Sequence, residues 1–277
     1  MVDESAPPGL YVVSTPIGNM GDFSFRAVET LRSVAVVLAE DTRHSRHLLG
    51  RYDIHTALVA YHEHNEARSL PGLVERLVAG ESMALITDAG TPIVSDPGAR
   101  LVRAAIDAGV RVFPVPGASA LLAAIVASGI PADRFTFLGF LPRKGRERRE
   151  ALQLIGQSEH AVVVYEAPSR VSDTLSEIAE LGGPDREAAV ARELTKHFED
   201  IRRGTVSALS AYYKEAPPRG EVVIVIDRAA ATVASEESLR SEVARMRVEG
   251  HSTREIIAAL VRGGASRNVA YRLAHEG

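Results

Sequence analysis

The first half of the chain alternates short apolar runs with stretches whose apolar residues recur at helical spacing. The runs contain no polar interruption and end in turn residues, which is typical of strands buried on both faces of a parallel sheet. The predicted strands are 10–14, 34–38, 57–61, 84–86 and 110–114. The predicted helices are one capped by Asp22 and Ser24, then 67–79, 97–108 and 118–128. Because the last helix is apolar nearly all round, we expect it deep in the core.

The pattern breaks at residues 130–133, and a second series of strands and helices follows. Its predicted strands are 134–140, 161–165, 188–192 and 221–227, with helices at about 169–181 and 205–214. Residues 229–235 are weakly patterned, as in a linker, and 236–277 have the spacing of three short helices. The pattern therefore predicts an α/β domain at 10–129, a second at 130–228 and a small helical tail at 236–277.

Turn-forming residues are most concentrated in 84–98, where an apolar run is followed by a loop with two glycines, two prolines and two aspartates. Ligands of α/β proteins bind in loops that follow the carboxyl ends of strands. Asp96 before Pro97 is ordinary chemistry for a helix start, but it leaves 88–92 unexplained. Gly90 permits close approach of a ligand, and Asp88 offers a carboxylate to an ammonium or sulfonium group. We interpret the stretch as the centre of a binding site.

Composition narrows the class of protein. The chain has 277 residues, of which 45% are hydrophobic and 25% charged, as in an ordinary globular protein of about two domains. It has no cysteine, and therefore no disulfide framework and no thiolate ligand. Residues 1–9 lack the pattern of a secretory signal, and no apolar run reaches the roughly 20 residues that cross a bilayer. We expect a soluble, cytoplasmic protein without a membrane partner.

The common signatures of nucleotide, metal and acyl-transfer sites are missing. No Gly-x-Gly-x-x-Gly follows the first predicted strand, and there is no Walker A motif. His62 and His64 lack metal-binding spacing, and His44 with His47 lacks a third ligand, so we expect no metal. Ser119 lacks the glycines of a nucleophile elbow. We expect it instead at a helix N-terminus, holding a carboxylate or a ribose.

A basic segment follows the first strand of the second unit. Although the net charge is −4, five cations fall within 143–149, and such a segment can contact several phosphates. A solvated helix start is the more common explanation of such a run. Further cations in the second unit strengthen the prediction of RNA binding. The candidate residues are Arg143, Lys144, Arg146, Arg148, Arg149 and Arg170.

Six separate blocks of sequence occur in a fixed order between residues 10 and 228. They are 14–19, 39–43, 87–98, 115–117, 165–168 and 191–196. Together they resemble the ribosomal RNA methyltransferases of the tetrapyrrole methylase superfamily. The first loop, 16–19, replaces the glycine-rich loop of the porphyrin-modifying members, which favours the RNA branch. The tail resembles the helix-turn-helix appendage of many members.

The resemblance implies two α/β domains of tetrapyrrole methylase type, with a cleft between them that holds S-adenosyl-L-methionine. It also implies a homodimer that methylates the ribose 2′-hydroxyl of a cytidine in the decoding region of 16S rRNA, either as free RNA or in the small ribosomal subunit. The residues that it places at the cofactor are Pro16, Gly18, Asp88, Ala89, Gly90, Thr91, Pro92, Ser95, Asp96, Pro116, Gly117, Ala118, Ser119, Tyr165, Glu166, Ala167, Gly220 and Glu221.

Transfer of a methyl group to a hydroxyl needs a group that accepts the hydroxyl proton. Lys196 and Glu193 are the leading candidates, with Glu40 and Asp41 behind them. A lysine serves as a base only where burial or neighbouring cations lower its pKa, so a phosphate or inter-subunit contact is an equal explanation of Lys196. Two other functions stay open: a precorrin-type methyltransferase with a tetrapyrrole substrate, and a non-catalytic RNA-binding protein.

Overall fold

The computed structural model describes residues 5–229 and 236–276, which form two five-stranded sheets followed by a group of helices. The strands of the first sheet are β1 (Gly9–Val13), β2 (Val36–Ala39), β3 (Ala57–Ala60), β4 (Ser82–Ile86) and β5 (Val112–Val115). Their order is β3-β2-β4-β1-β5, and every neighbouring pair is parallel. The predicted parallel sheet is confirmed, although β2 begins two residues later than predicted.

Helices cover both faces of this sheet. They are α1 (Phe25–Ser33), α2 (Thr42–Arg51), α3 (Glu63–Val78) and α4 (Ala99–Asp107). Successive strand residues point to opposite faces, so one apolar run serves two cores. Leu49 of α2 packs in the core that contains Val13 of β1, whereas Leu101 of α4 packs in the core that contains Leu10. The helix α2 was not predicted, because three arginines and two histidines dilute its apolar stripe.

The second sheet consists of β6 (Phe135–Phe140), β7 (Ala161–Glu166), β8 (Glu187–Arg192), β9 (Asp200–Thr205) and β10 (Val222–Ile226). Its order is β6-β7-β10-β8-β9; the pair β6–β7 is parallel and the other described pairs are antiparallel. The helices that pack against it are α5 (Ala120–Ser128), α6 (Arg146–Gln157), α7 (Val171–Gly182) and α8 (Val206–Glu215). Strand β9 was not predicted, because its sequence is mostly polar.

Helix α5 comes from the first half of the chain but packs on the second sheet. Ala124 is fully buried in a core shared with Val163 of β7 and Val223 of β10. On the opposite side of the helix, Leu122 is 54% and Val126 is 82% exposed. The expectation of a helix buried on all sides is therefore wrong, because only one face of α5 meets the sheet.

The tail forms three short helices, as predicted: α9 (Glu236–Val248), α10 (Thr253–Arg262) and α11 (Arg267–His275). They share a core of their own that includes Val243, Leu260 and Leu273. Ser252 begins α10 with a reciprocal capping box to Glu255. The predicted linker lies outside the described residues from 230 to 235. No helix among the described residues is both long and apolar enough to cross a membrane.

Candidate active site

The carboxyl ends of the first sheet's strands open onto a cleft whose other wall comes from the second sheet. The cavity in this cleft has a volume of about 320 Å³, which lies within the range of small-molecule and cofactor sites. The predicted cofactor residues that line it are Asp88, Ala89, Gly90, Thr91, Ser95, Asp96, Ser119, Tyr165, Glu166, Ala167, Gly220 and Glu221. The fold thus gathers segments that are far apart in the sequence.

The other predicted cofactor residues, all in the described part of the chain, are not among the residues that line the cleft. They are Pro16, Gly18, Pro92, Pro116, Gly117 and Ala118. Gly117 packs against Ser14, which directly follows β1; a Cβ on residue 117 would lie 3.0 Å from the Cβ of Ser14. Gly18 lies under Lys196 so closely that a Cβ would overlap the lysine stem. In both places, packing between chain segments is what requires a glycine.

The cleft also has lining residues that the sequence analysis missed. They are Ile17, Thr87, Val94, Ala120, Phe140, Pro168, Val222 and Val223. Most are apolar, and an apolar residue in a strand has the same sequence pattern whether it faces a core or a ligand. Thr87 directly follows β4 and Phe140 ends β6. Their position at the end of a strand was the one available signal.

Hydrogen bonds hold the loop after β1 against the loop after β4. Thr15 and Gly90 exchange backbone hydrogen bonds of 2.8 and 3.1 Å, as in an antiparallel bridge. The hydroxyl of Thr15 donates to the carbonyl of Thr87 at 3.1 Å, and the hydroxyls of Ser14 and Thr91 lie 2.9 Å apart. Gly90 has a φ of 83°, which favours glycine. Short polar side chains therefore fix this wall of the cleft.

The same loop carries backbone strain. Ile93 and Ser95 have φ values of 79° and 70°, a region that a β-branched residue rarely adopts. Gly98 has a φ of 126° and packs on Leu85, whose Cδ2 would lie 2.5 Å from an added Cβ. The predicted helix start at Pro97 is wrong, because Gly98 is the N-cap and α4 begins two residues later. Strain of this kind concentrates at functional sites.

The carboxylates of Glu40, Asp88 and Asp96 lie near one another at this wall. The hydroxyl of Thr87 donates to Glu40 at 2.9 Å, and the backbone N–H of Asp41 donates to Asp88 at 3.2 Å. Burial raises the pKa of Asp96 to about 6, and the charge of Glu40 adds to this effect, while Thr87 opposes it. Among residues 5–229 and 236–276, none of the three carboxylates takes part in an ion pair.

These carboxylates form an acidic patch that no cation from the described residues neutralises. The described residues contain no group of three or more histidines, cysteines, aspartates or glutamates arranged to hold a metal ion. A cationic organic ligand is therefore the natural complement of this wall.

The opposite wall contains a carboxylate that is fully neutralised. Glu166 is buried, and it accepts hydrogen bonds from the backbone of Ala167 at 2.8 Å and from the hydroxyl of Thr174 at 2.7 Å. Arg170 pairs with it at 2.5 Å, and Arg148 lies 3.9 Å away. Because protein groups occupy both of its oxygens, Glu166 acts here as a structural anchor for the end of β7.

Arg148 and Arg170, both predicted to bind RNA, are engaged with carboxylates of the protein instead. Arg148 is only 7% exposed, and its guanidinium also bonds to Glu177 and to Thr174. Arg170 is turned toward Glu166 and is mostly buried. A cation that neutralises a buried carboxylate is not free to meet a phosphate. The candidates that remain exposed are Arg143, Lys144, Arg146 and Arg149.

Aromatic rings line the second wall of the cleft. The rings of Phe140 and Tyr165 meet edge to face with centroids 5.3 Å apart, and Phe137 packs on Tyr165 at 4.9 Å. Burial raises the pKa of Tyr165, so its phenol stays neutral near pH 7. Phe140 is 60% exposed, which leaves an open face for a planar ligand. Such a surface suits a purine ring.

The N-terminus of α5 also faces the cleft. Ser119 is the N-cap, and its hydroxyl accepts a hydrogen bond of 3.4 Å from the backbone of Leu122. Ser119 and Ala120 both line the cleft, although the helix was predicted to start at residue 118. A helix N-terminus favours an anion, because its first N–H groups are free and its dipole is positive there. The cleft therefore offers one anion site beside a larger cation site.

Lys196 lies at the rim, between the two halves of the protein. Its Nζ donates to Glu193 and to Glu221, both at 3.1 Å, and the nearby Asn19 N–H donates to the hydroxyl of Thr195. Partial burial lowers the pKa of Lys196, but the hydrogen bonds to the two carboxylates outweigh it and raise the pKa overall. The lowered pKa that a basic lysine needs is not found in this arrangement.

The loop that carries Lys196 is strained like the loop across the cleft. Glu193 and Thr195 have φ values of 48° and 64°. Gly220, with a φ of 82°, packs so tightly on Glu193 that a Cβ would overlap its carboxylate. Apart from Asp53, every non-glycine residue with positive φ in the described chain lies in one of these two loops. The strain is thus concentrated around the cleft.

The chain is similar to known proteins in sequence and in fold. A family model described as Tetrapyrrole (Corrin/Porphyrin) Methylases matches residues 9–210. A ribosomal RNA small subunit methyltransferase I from Synechocystis sp. is 45% identical over 266 residues, covering 94% of this chain and 91% of that protein. Its counterpart from Mesorhizobium japonicum is 49% identical over 225 residues, covering 81% and 76%.

Solved structures show the likeness in fold. The uroporphyrin-III C-methyltransferase of Thermus thermophilus, complexed with S-adenyl homocysteine, has a TM-score of 0.57 and covers 79% of this chain and 97% of that one. The two sequences are 20% identical. At this distance the comparison establishes the two-sheet architecture and nothing finer.

Proposed function

The chain belongs to the tetrapyrrole (corrin/porphyrin) methylase family, and from this membership we propose that it is an S-adenosylmethionine-dependent methyltransferase of small-subunit ribosomal RNA. The relatives at 45% and 49% identity are named for that activity. The porphyrin methyltransferase is far more distant, at 20%. This gap favours RNA over a tetrapyrrole as the acceptor. We propose the ribose 2′-hydroxyl of a cytidine in the decoding region of 16S rRNA as the atom that is methylated.

The observation that carries the proposal is the match between the cleft and this cofactor. S-adenosylmethionine has a sulfonium and an ammonium group, a carboxylate and a purine. The carboxylates of Asp88 and Asp96 pair with no cation in the part of the chain that the structure describes, and they complement the two positive groups. The N-terminus of α5 at Ser119 complements the carboxylate, and the rings of Tyr165 and Phe140 complement the purine. A non-catalytic RNA-binding protein would not need this combination.

The reaction requires the chain to position two partners and to accept one proton. Bound S-adenosylmethionine would supply a methyl group on a positively charged sulfur. The ribose oxygen would bond to the methyl carbon by in-line attack while the carbon–sulfur bond breaks and the sulfur leaves with its electrons as a neutral thioether, and the hydroxyl proton would go to a basic group or to solvent. Burial raises the pKa of Glu193, but the hydrogen bonds from Lys196 and from the backbone of Glu221 outweigh burial and lower the pKa overall. Glu193 is therefore ionised near pH 7. We assign Glu193 as the hydrogen-bond acceptor and Lys196 as the cation that holds it.

The test is to incubate the full chain with S-adenosylmethionine carrying a labelled methyl group and with small ribosomal subunits that lack the modification. We expect one labelled nucleotide in 16S rRNA, a cytidine whose 2′-oxygen resists alkaline cleavage. Parallel reactions contain protein-free 16S rRNA and a porphyrin precursor. Label on the porphyrin alone, or no label on any acceptor despite cofactor binding, would contradict the proposal. Because its substrate is ribosomal RNA, the proposal also places the protein in the cytoplasm.

We propose that the active form is a homodimer joined through α5. Leu122 and Val126 lie one helical turn apart and are exposed, and exposed apolar residues on one helix face are typical of an interface. The double substitution Leu122→Glu with Val126→Glu should halve the mass in sedimentation equilibrium. A wild-type chain that already sediments as a monomer would contradict this part of the proposal.

A further inference from the structure

The exposed face of α2 is a continuous strip of basic side chains. Positions 43, 44, 46, 47, 50 and 51 are exposed, and they fall on an arc of about 160° around the helix axis. Ser45, Leu48 and Leu49 occupy the rest of the circumference and are buried. The strip consists of Arg43, His44, Arg46, His47, Gly50 and Arg51.

This strip is more uniformly charged than the predicted basic segment 143–149. Helix α2 contains no acidic residue, whereas α6 carries Glu147 and Glu150 among its arginines, and Glu150 pairs with Arg146 at 2.6 Å. Arg43 at the start of the strip is 89% exposed, and its one carboxylate contact is with the N-cap Asp41 at 3.7 Å. The strip therefore presents nearly all of its charge to solvent.

The strip begins at the edge of the cleft. Helix α2 directly follows β2, and its N-cap Asp41 donates its backbone N–H to Asp88, which lines the cleft. The strip then extends away from the cleft for about 15 Å along the ten-residue helix. A polymer whose reactive unit enters the cleft would have its neighbouring units beside this strip.

A shallow pocket beside the strip favours RNA over an acidic protein as that polymer. It holds about 600 Å³ free of protein atoms, counted out into solvent, and Arg46 and Gly50 form part of its lining. Leu49, Ile54, His55, Thr56 and Leu58 complete the lining, whose exposed surface is mostly polar. A guanidinium beside hydrogen-bonding groups suits an unpaired base next to its phosphate, because RNA bases stack on guanidinium planes and are recognised by hydrogen bonds.

We propose that the α2 strip binds the phosphates of the RNA that flanks the methylated nucleotide. This inference rests on the proposed function, because it presumes that RNA enters the cleft. It assigns to α2 a role in holding the acceptor strand and leaves cofactor binding to the cleft. Contacts with phosphates make binding weaken as salt is raised: for a single strand, each contact lowers the logarithm of the affinity by about 0.7 for every tenfold rise in salt concentration.

The first test removes the three arginines of the strip together, as Arg43→Gln, Arg46→Gln and Arg51→Gln. The matched control changes Arg68, Arg100 and Arg103 to Gln; these exposed arginines lie on α3 and α4, which cover the opposite face of the sheet. Both variants lose the same charge. We expect the strip variant to bind 16S rRNA at least about 10-fold more weakly at low salt, and its salt slope to fall by about two. The control should stay within about twofold of wild type.

The second test adds a charge and removes no existing contact. Gly50 lies in the strip and Gly72 lies in α3, and a Cβ at either position meets nothing within 4 Å. We expect Gly50→Glu to weaken RNA binding several-fold, and Gly72→Glu to have no effect. For every variant, calorimetry with S-adenosylmethionine should give the wild-type affinity, which excludes a general loss of structure.

The outcomes separate this inference from the proposed function. If wild type binds 16S rRNA without methylating it, the proposed reaction fails, and the salt slopes still decide the role of the strip. If wild type methylates subunits and both strip variants match their controls in affinity and salt slope, the inference is overturned. If wild type binds neither protein-free 16S rRNA nor small ribosomal subunits, both are overturned.

Discussion

The two walls of the cleft treat their carboxylates in opposite ways. On the wall from the first sheet, Glu40, Asp88 and Asp96 have no cationic partner among the described residues, and burial raises the pKa of Asp96 to about 6. On the wall from the second sheet, Glu166 is buried but has Arg170 at 2.5 Å and two hydrogen-bond donors. The carboxylates of the first wall therefore remain without charge compensation from described residues, whereas the carboxylate of the second wall is compensated by the protein itself.

This difference shows which carboxylates serve the ligand and which one serves the scaffold. Unpaired carboxylates cost stability in the free protein, and a cationic ligand recovers that cost on binding. A fully paired carboxylate fixes the end of a strand and offers nothing further to a ligand. Substitution of Glu166 should therefore affect mainly folding, and substitution of Asp88 should affect mainly ligand binding.

The largest effect is expected from Glu166→Ala, which removes the carboxylate that pairs with Arg170 and one of the two carboxylates beside the buried guanidinium of Arg148. Removing one partner of a buried ionic group costs about 3–5 kcal/mol of the free energy of unfolding. Urea denaturation followed by circular dichroism would measure the loss. Glu177→Ala is a useful comparison, because this partner of Arg148 is 43% exposed. An equal loss in the two variants would mean that Glu166 is not the anchor of the second wall.

Lys196→Ala should reduce turnover by about 100-fold and leave cofactor affinity within about twofold of wild type. The raised pKa of Lys196 keeps it charged near pH 7, so Lys196→Arg should restore most of the activity. Initial rates and calorimetry would measure the two quantities. If the Arg variant were as inactive as the Ala variant, and the wild-type rate rose with pH into the alkaline range, Lys196 would be a base.

Asp88→Asn should lower the affinity for S-adenosylmethionine by about 10–100-fold, because it removes a charge that faces the ligand. The amide oxygen can still accept the hydrogen bond from Asp41, so the free energy of unfolding should change by less than about 1 kcal/mol. Calorimetry would measure the affinity. Asp107→Asn on the exposed surface of α4 is the control, and unchanged affinity in both variants would contradict a cation site at the first wall.

Asp96→Asn should give the smallest effect, a gain of about 1 kcal/mol in the free energy of unfolding at pH 7.5. The folded protein holds the Asp96 proton up to about pH 6, whereas the unfolded chain releases it near the ordinary aspartate pKa of 3.8. The stability that this proton provides is present below that value and is lost as pH rises through about 6. A shift of about two units corresponds to ~3 kcal/mol, which solvent screening of this half-buried group reduces.

The pH dependence of Asp96→Asn is the decisive measurement. The variant and wild type should have equal stability below about pH 4, and the gain should appear between pH 4 and 7 in urea titrations. Over the same range, wild-type affinity for S-adenosylmethionine should increase with pH, since ionised Asp96 attracts a cation. A gain that does not depend on pH would show that the group is not strained by its charge.

The sequence predicted the first wall better than the second. Uninterrupted apolar runs followed by turn residues placed Asp88, Gly90 and Asp96 at the carboxyl edge of a parallel sheet, where they are found. The second sheet is mostly antiparallel, and strand order depends on contacts distant in sequence that no local pattern encodes. Its edge strand β9 was also missed, because a mostly polar sequence has no recognisable strand pattern.

The clustering of cationic residues in the sequence did not predict which of them face solvent in the structure. The cations of 143–149 suggested an exposed basic surface. Arg148 of α6, however, points inward toward Glu166 at the end of β7. The basic strip of α2 looked unremarkable, because its residues are spread over a helix that the sequence did not predict. Which arginines face solvent is decided by tertiary partners, and the sequence does not display them.

The position of α5 has a consequence for how the protein is made. The helix emerges from the ribosome before any strand of the sheet that it covers, and β10 follows roughly a hundred residues later. At about 5–20 residues per second, the apolar face of α5 waits roughly 5–20 seconds for its partner. During synthesis, the first sheet can complete both of its own cores, but the helix that closes the cleft stays undocked until translation is nearly finished.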